Sequence, residues 1–177
     1  MTDERHEAFE FVVFSIVFAA SYFVIGPLLH EATHMAFLEH LGCFYSMEWA
    51  FHGLRGISAA VQPYCYLGQA KLLVFYLSGY FSVLLTGGML AFWSLEFQDL
   101  DSVKGVFTGS LGAGMLLALG VTIAAEGDIA NSLQILGVST RYAGIVRLFV
   151  LLGASSTSLK LLQHIFDRSE WENSREG

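Results

Sequence analysis

Runs of uncharged, mostly apolar residues dominate the chain. Three of them are long, because residues 11–29, 72–95 and 105–125 contain no Asp, Glu, Lys, Arg or His. About 20 such residues are needed to cross the hydrocarbon core of a bilayer as an α-helix, since each residue advances the helix by about 1.5 Å. The pattern therefore predicts three transmembrane helices.

A fourth apolar run, residues 148–159, is too short to cross a membrane on its own. Arg147 and Lys160 stand at its two ends. Long basic side chains at a helix end can extend their charges to the membrane surface, which lengthens the span that the helix can cover. We therefore expect a fourth span over residues 142–166.

The segment between the first two spans has a different pattern. Residues 44–51 and 56–61 are rich in aromatic and β-branched residues and are joined by HGLRG, which predicts a β-hairpin or a pair of short strands. The expected fold class is an all-α polytopic membrane protein with about four transmembrane helices and a short β-hairpin-like loop after the first. We expect one integral membrane domain over residues 1–177, with a core at 11–138, an additional helix at 142–166 and a loose tail at 167–177.

Glycines recur along the third run. Gly105 and Gly109 form a small-xxx-small pattern, and Gly112, Gly114 and Gly120 follow. Small residues let two helix backbones approach each other closely inside a membrane. The third span is therefore expected to pack tightly against a neighbouring helix.

Composition agrees with a membrane setting. Hydrophobic residues make up 54% of the chain and charged residues only 14%, against about a quarter in soluble domains. The net charge of −7 offers no basic patch, so nucleic acid is excluded as a partner and membrane lipid is expected instead. Cys43 and Cys65 flank the polar loop at no metal-ligand spacing, and we expect an unreactive pair of thiols.

Ionisable residues follow the first apolar run directly, in the stretch LLHEATHMAFLEH. Residues four apart share one helix face, so His30 and His34 can offer two imidazole nitrogens to one zinc ion, while Glu31 can accept a proton from water. This is the His-Glu-x-x-His signature of zinc hydrolases; the alternative is that the histidines only mark the membrane interface. Gly26 and Pro27 are expected to kink the helix one turn earlier and to open a cavity.

A catalytic zinc ion needs a third protein ligand at the same depth in the membrane. His30 lies nineteen residues after the start of the first run and Asp128 twenty-three after the start of the third. Their depths then differ by about 6 Å if both runs start at one face. Glu126 is the rival ligand, on a different side of the helix. For His40 and His52 we expect surface roles.

Several motifs together resemble one known family. HEATH at the end of a hydrophobic helix, a strand-like loop, a second helix containing SGYFSVLL and a third helix running into EGDIANSL resemble the site-2 protease family of intramembrane zinc metalloproteases. The similarity covers roughly residues 11–138. It implies that His30 and His34 bind one zinc ion together with Asp128 on the third core helix, and that Glu31 is the catalytic acid and base. It also implies that the loop strands pair with an extended substrate segment.

The expected function is that of an intramembrane zinc metalloprotease, which hydrolyses peptide bonds of membrane-embedded proteins. Two alternatives stay open: a zinc-binding membrane protein without protease activity, and a small ion transporter whose ionisable residues form a polar pathway. The positions of Arg55, Arg141 and Arg147 favour an active site towards the cytoplasmic side. Three tyrosines near the loop are expected to be interfacial belt residues: Tyr45, Tyr64 and Tyr66.

Overall fold

The computed structural model describes residues 3–51, 57–96, 102–124 and 127–173. Within these ranges the chain forms six α-helices, one π-helical turn and one two-stranded sheet. In chain order they are α1 (Asp3–Ala20), the π-helical turn (Ser21–Ile25), α2 (Gly26–His40), β1 (Tyr45–Phe51), β2 (Ile57–Pro63), α3 (Gln69–Glu96), α4 (Ser102–Ala124), α5 (Asp128–Ile135) and α6 (Thr140–Asn173).

Four helical segments are long and apolar enough to cross a membrane: Ala8–His40, Gln69–Leu95, Lys104–Ile123 and Tyr142–Gln163. The predicted fold class, an all-α polytopic membrane protein with four spans, is therefore confirmed. The first span is longer than the uncharged run that predicted it, because the helix continues through the histidine motif to His40. Large apolar side chains on the outer faces of the helices are exposed, among them Phe11, Leu85 and Phe149, as lipid contact requires.

The loop after the first span is a β-hairpin, as predicted. β1 and β2 pair antiparallel, with Tyr45 opposite Pro63 at one end and Phe51 opposite Ile57 at the other. β2 also contacts α2, so the hairpin stays close to the helix that carries the histidine motif.

A disulfide joins Cys43 and Cys65, whose Cα atoms lie 5.6 Å apart. The expectation of two free thiols was therefore wrong. The hairpin explains the pairing, because the ladder that sets Tyr45 opposite Pro63 continues outward and brings Cys43 opposite Cys65. The Tyr64 amide donates to the Phe44 carbonyl at 2.8 Å, in the residue pair between the disulfide and the first pair of the sheet.

α4 is the central helix, with contacts to α1, α3 and α6. Its glycines let those neighbours approach closely, as predicted. A Cβ added at Gly112 would lie 2.8 Å from the Ala91 backbone nitrogen, and one at Gly114 would lie 2.7 Å from the Phe18 carbonyl oxygen. Gly105 has no such neighbour within 4 Å, so the close packing begins further along α4 than the first glycine of the pattern.

The helix disruption expected at Gly26 and Pro27 takes the form of the π-helical turn directly before them. The Gly26 amide donates to the Ser21 carbonyl, five residues earlier, and Pro27 has no amide hydrogen to donate. Ser21 is fully buried, and its hydroxyl donates to the Val17 carbonyl at 2.7 Å. π-Helical turns are common next to functional sites, and this one lies one turn before His30.

Candidate metal centre

The two histidines of the motif lie on one buried face of α2. His30 is 7% exposed and His34 only 2% exposed. Their rings meet edge to face with centroids 4.6 Å apart, and their Nε2 atoms are 3.1 Å apart. The four-residue spacing thus brings two imidazole nitrogens to one point, as the helical repeat predicts.

Asp128 completes this group from a distant part of the chain. Its Oδ2 atom lies 3.1 Å from His30 Nε2 and 2.9 Å from His34 Nε2. The structure therefore brings together the three residues that the sequence nominated as metal ligands. One implied detail was wrong: Asp128 is not on the third transmembrane helix, because α4 ends at Ala124 and Asp128 is the first residue of the separate helix α5.

The geometry of the three atoms suits a cation. A neutral imidazole presents a lone pair at one ring nitrogen and an ionised carboxylate carries only lone pairs, so a cation can be held between the three atoms. A tetrahedral zinc ion with bonds of 2.0–2.1 Å separates its ligand atoms by about 3.3 Å. The observed separations of 2.9–3.1 Å are shorter by only a few tenths of an ångström, so a small ion of this kind fits.

Glu31 adjoins the group on the same helix. The residue is 9% exposed, and Asp128 is close enough for the two carboxylates to interact electrostatically. Two buried carboxylates repel each other when both are ionised, and a bound cation would offset that repulsion. The site thus combines two imidazoles, one carboxylate ligand and one further carboxylate that the ligand set leaves free.

One turn of α3 supports the two imidazoles. The Ser78 hydroxyl lies 3.4 Å from His34 Nδ1, the nitrogen that faces away from the ligand group. Gly79 lies directly against the other ring, since a Cβ there would be 2.5 Å from His30 Nδ1. The Tyr80 ring meets the His30 ring edge to face with centroids 4.7 Å apart. Groups that hold the far side of a histidine ligand fix its ring orientation and its affinity for metal.

The sequence assigned no role to this turn of α3. The segment SGYFSVLL contributed only to the family resemblance, because a serine, a glycine and a tyrosine inside an apolar helix do not by themselves indicate a site. A second polar link joins the same helices further along, where the Thr33 hydroxyl donates to Ser82 Oγ at 2.8 Å and Ser82 donates to the Gly79 carbonyl at 2.8 Å. The bond between Thr33 and Ser82 joins α2 to α3 beside the candidate metal centre.

Of the other candidates, His40 is exposed at the end of α2 and does not join the group. Glu126 and His52 lie outside the described residues. Tyr64 and Tyr66, which were predicted as interfacial belt residues, are 71% and 95% exposed.

Tyr45 has a local partner on α2. Its hydroxyl donates to the Glu39 carboxylate at 2.9 Å, and this bond raises the pKa of Tyr45 above its ordinary value. The bond ties the start of β1 to the last turn of α2, above the metal centre.

No family model, curated protein or solved structure matches this chain.

Proposed function

We propose that the protein is an intramembrane zinc metalloprotease, which hydrolyses peptide bonds of membrane-embedded proteins. The observation that carries the proposal is the convergence of ligand atoms from His30, His34 and Asp128 within 3.1 Å of one another. Three protein ligands with a fourth position left open are typical of catalytic zinc sites, and Glu31 follows the first ligand as in zinc hydrolases.

The depth of the site supports a substrate within the membrane. His34 lies six residues before the end of the first span at His40, and His30 lies ten residues before it. At 1.5 Å per residue these positions are about 9 and 15 Å below the end of the helix. A peptide bond that reaches them would lie within the length of the first span.

In the proposed reaction zinc, when bound, acidifies water and polarises the substrate carbonyl. Glu31 accepts a proton from the attacking water and returns it to the leaving amine. Peptide groups in a transmembrane helix are protected by their own hydrogen bonds, so the substrate must unwind locally before attack. Among the described residues β1 pairs only with β2, and its other edge offers backbone groups to an extended substrate segment.

Replacement of the proposed general base tests the function. Glu31→Gln keeps the size of the side chain but removes the proton acceptor, so zinc content should stay at one ion per chain while cleavage of a membrane-anchored reporter falls by at least about 10²-fold. Glu39→Gln is the matched control, because Glu39 is exposed on the same helix outside the candidate metal centre, and the glutamine oxygen can still accept the Tyr45 hydrogen bond. A Glu31→Gln protein that cleaves at the wild-type rate would contradict the proposal.

Metal analysis separates the alternatives. His34→Ala should lose zinc, whereas His40→Ala, at the exposed end of the same helix, should keep it. Bound zinc with no cleavage of any reporter would identify a zinc-binding protein without protease activity. Ion flux in proteoliposomes that depends on Glu31, in protein without stoichiometric zinc, would identify a transporter.

The disulfide bears on the side of the membrane that the site faces. Cytosolic thiols are kept reduced, whereas disulfides persist outside the cytosol. We therefore propose that the hairpin closed by Cys43 and Cys65 faces an oxidising compartment, opposite to the cytoplasmic side that the arginine positions favour. The positive charges are a weak guide here, since Arg5 and Lys104 count against the orientation that the other arginines favour.

Thiol labelling in intact cells tests this orientation. A Cys43→Ser variant leaves Cys65 as a single thiol, which a membrane-impermeant maleimide should label without lysis. Ser102→Cys in a protein without other cysteines reports the opposite side, because Ser102 begins α4 at the other end of α3. Labelling of Cys65 only after lysis would refute the orientation.

A further inference from the structure

Tyr80 is a polar residue in an apolar environment beside the metal centre. The residue is 6% exposed and packs with Val83 of its own helix and with Met115 and Leu119 of α4. A buried phenol needs a partner for its hydroxyl group, since an unpaired buried polar group is costly. The groups that surround the hydroxyl group therefore indicate the role of Tyr80.

The hydroxyl group of Tyr80 lies at the start of α5. Its oxygen is 3.9 Å from the point where a Cβ on Gly127 would be, which places it within reach of the Ile129 backbone amide. Ile129 also packs against the apolar cluster that contains Tyr80. The ring and the hydroxyl group thus contact two parts of the metal centre, His30 and the helix that begins with Asp128.

Within the described residues, α5 has no side-chain cap from its own segment at this end. Asp128 is its first residue, and Gly127 before it has no side chain to accept a hydrogen bond. The first amide groups of a helix lack partners inside the helix, and a side-chain oxygen at the preceding position usually accepts from the second or third of them. Ile129 is the second residue of α5.

We propose that Tyr80 is a positioning residue that caps α5 from α3 and thereby holds the Asp128 carboxylate against the two imidazoles. Its hydroxyl oxygen replaces the missing cap side chain, while its ring supports His30. One residue of α3 thus fixes two of the three ligands, which come from parts of the chain 98 residues apart. The inference rests on the proposed metal centre and makes the hydroxyl group of Tyr80 part of its affinity for zinc.

The Tyr80→Phe variant tests this role, because it keeps the ring and removes only the oxygen. Zinc affinity, measured on the full-length purified protein by competition with a chromophoric chelator, should fall about 10- to 100-fold, as for other groups that support a metal ligand. The visible spectrum of the cobalt(II)-substituted protein should change too, because it reports the arrangement of the ligands. A purely structural role would lower the thermal midpoint and leave the spectrum of the bound cobalt unchanged.

Tyr142→Phe is the control. Tyr142 is an exposed phenol at the start of α6, outside the candidate metal centre. Its variant should keep the wild-type zinc affinity and cobalt spectrum.

A rescue experiment tests the capping mechanism itself. The backbone of Gly127 is extended, with φ of 165°, and no atom lies closer than 3.9 Å to a Cβ there, so a serine fits. Gly127→Ser in the Tyr80→Phe background supplies a cap oxygen from the chain itself and should restore most of the zinc affinity. Wild-type affinity in Tyr80→Phe alone, or a loss that Gly127→Ser does not restore, would overturn the proposal.

These measurements do not depend on cleavage. A protein that binds zinc without cleaving any substrate would refute the proposed protease function and would still decide the role of Tyr80. Failure of the wild-type protein to bind zinc would refute both.

Discussion

The contact between Gly79 and His30 allows a prediction with a magnitude taken from the structure. A Cβ on Gly79 would lie 2.5 Å from Nδ1, 2.6 Å from Cε1 and 2.8 Å from Cγ of the His30 ring, whereas ordinary contacts begin at 3.4 Å. In Gly79→Ala the ring or the helix must therefore shift by about 0.9 Å at the closest atom. Metal–ligand distances tolerate deviations of only about 0.2 Å.

The expected result is the displacement of one ligand from the metal centre. Zinc affinity should fall about 100-fold or more, and a 100-fold loss corresponds to about 2.8 kcal/mol. This loss is at or above the largest effect expected from a residue that supports a metal ligand. The measurement is a chelator competition titration of the purified protein, combined with metal analysis after dialysis. Cleavage of a membrane-anchored reporter should fall with the zinc content.

Gly88→Ala is the control for this variant. Gly88 lies on the same helix, and no atom is within 4 Å of a Cβ at that position. The substitution changes the helix propensity in the same way, by about 1 kcal/mol in favour of the helix, without touching the site. Wild-type zinc affinity in Gly79→Ala would refute the packing argument, whereas a loss shared with Gly88→Ala would assign the effect to the helix and not to His30.

Three further predictions concern other contacts. Ser78→Ala removes the hydroxyl group beside His34 Nδ1 and should weaken zinc binding by about 10-fold in the same titration. Gly114→Val should lower the thermal midpoint because its Cβ meets backbone and side-chain atoms at 2.7 Å, whereas Gly105→Ala should leave it unchanged; equal midpoints would contradict close packing at α4. Cys65→Ser opens a loop that spans 22 residues and should lower the free energy of unfolding by about 3 kcal/mol, which reduction of the wild-type protein should reproduce.

Local patterns in the sequence determined the elements and half of the site. Uncharged runs of about 20 residues defined three of the spans, because a bilayer requires helices of that length, and a shorter run between Arg147 and Lys160 defined the fourth. A change of residue type defined the hairpin. The spacing of His30 and His34 alone sets two imidazoles on one face, since the helical repeat brings residues four apart together. These features depend on neighbours within a few positions.

Asp128 was predicted as a ligand because its expected depth in the membrane is close to that of His30. Depth alone does not distinguish a continuous third helix from the break at Gly127 that the structure contains. The disulfide was missed for a similar reason. Cys43 and Cys65 are brought opposite each other by the register of the hairpin, and residue types alone do not fix that register.

Only the tertiary structure decided which residues support the ligands. Ser78, Gly79 and Tyr80 reach the site because α3 packs against α2, and Asp128 reaches it because α4 and α5 pack against α3. Such contacts depend on the shapes of whole helix faces, including the glycines that let backbones approach. The sequence by itself determined the chemistry that α2 can offer, whereas packing brought Asp128 and the supporting groups to it.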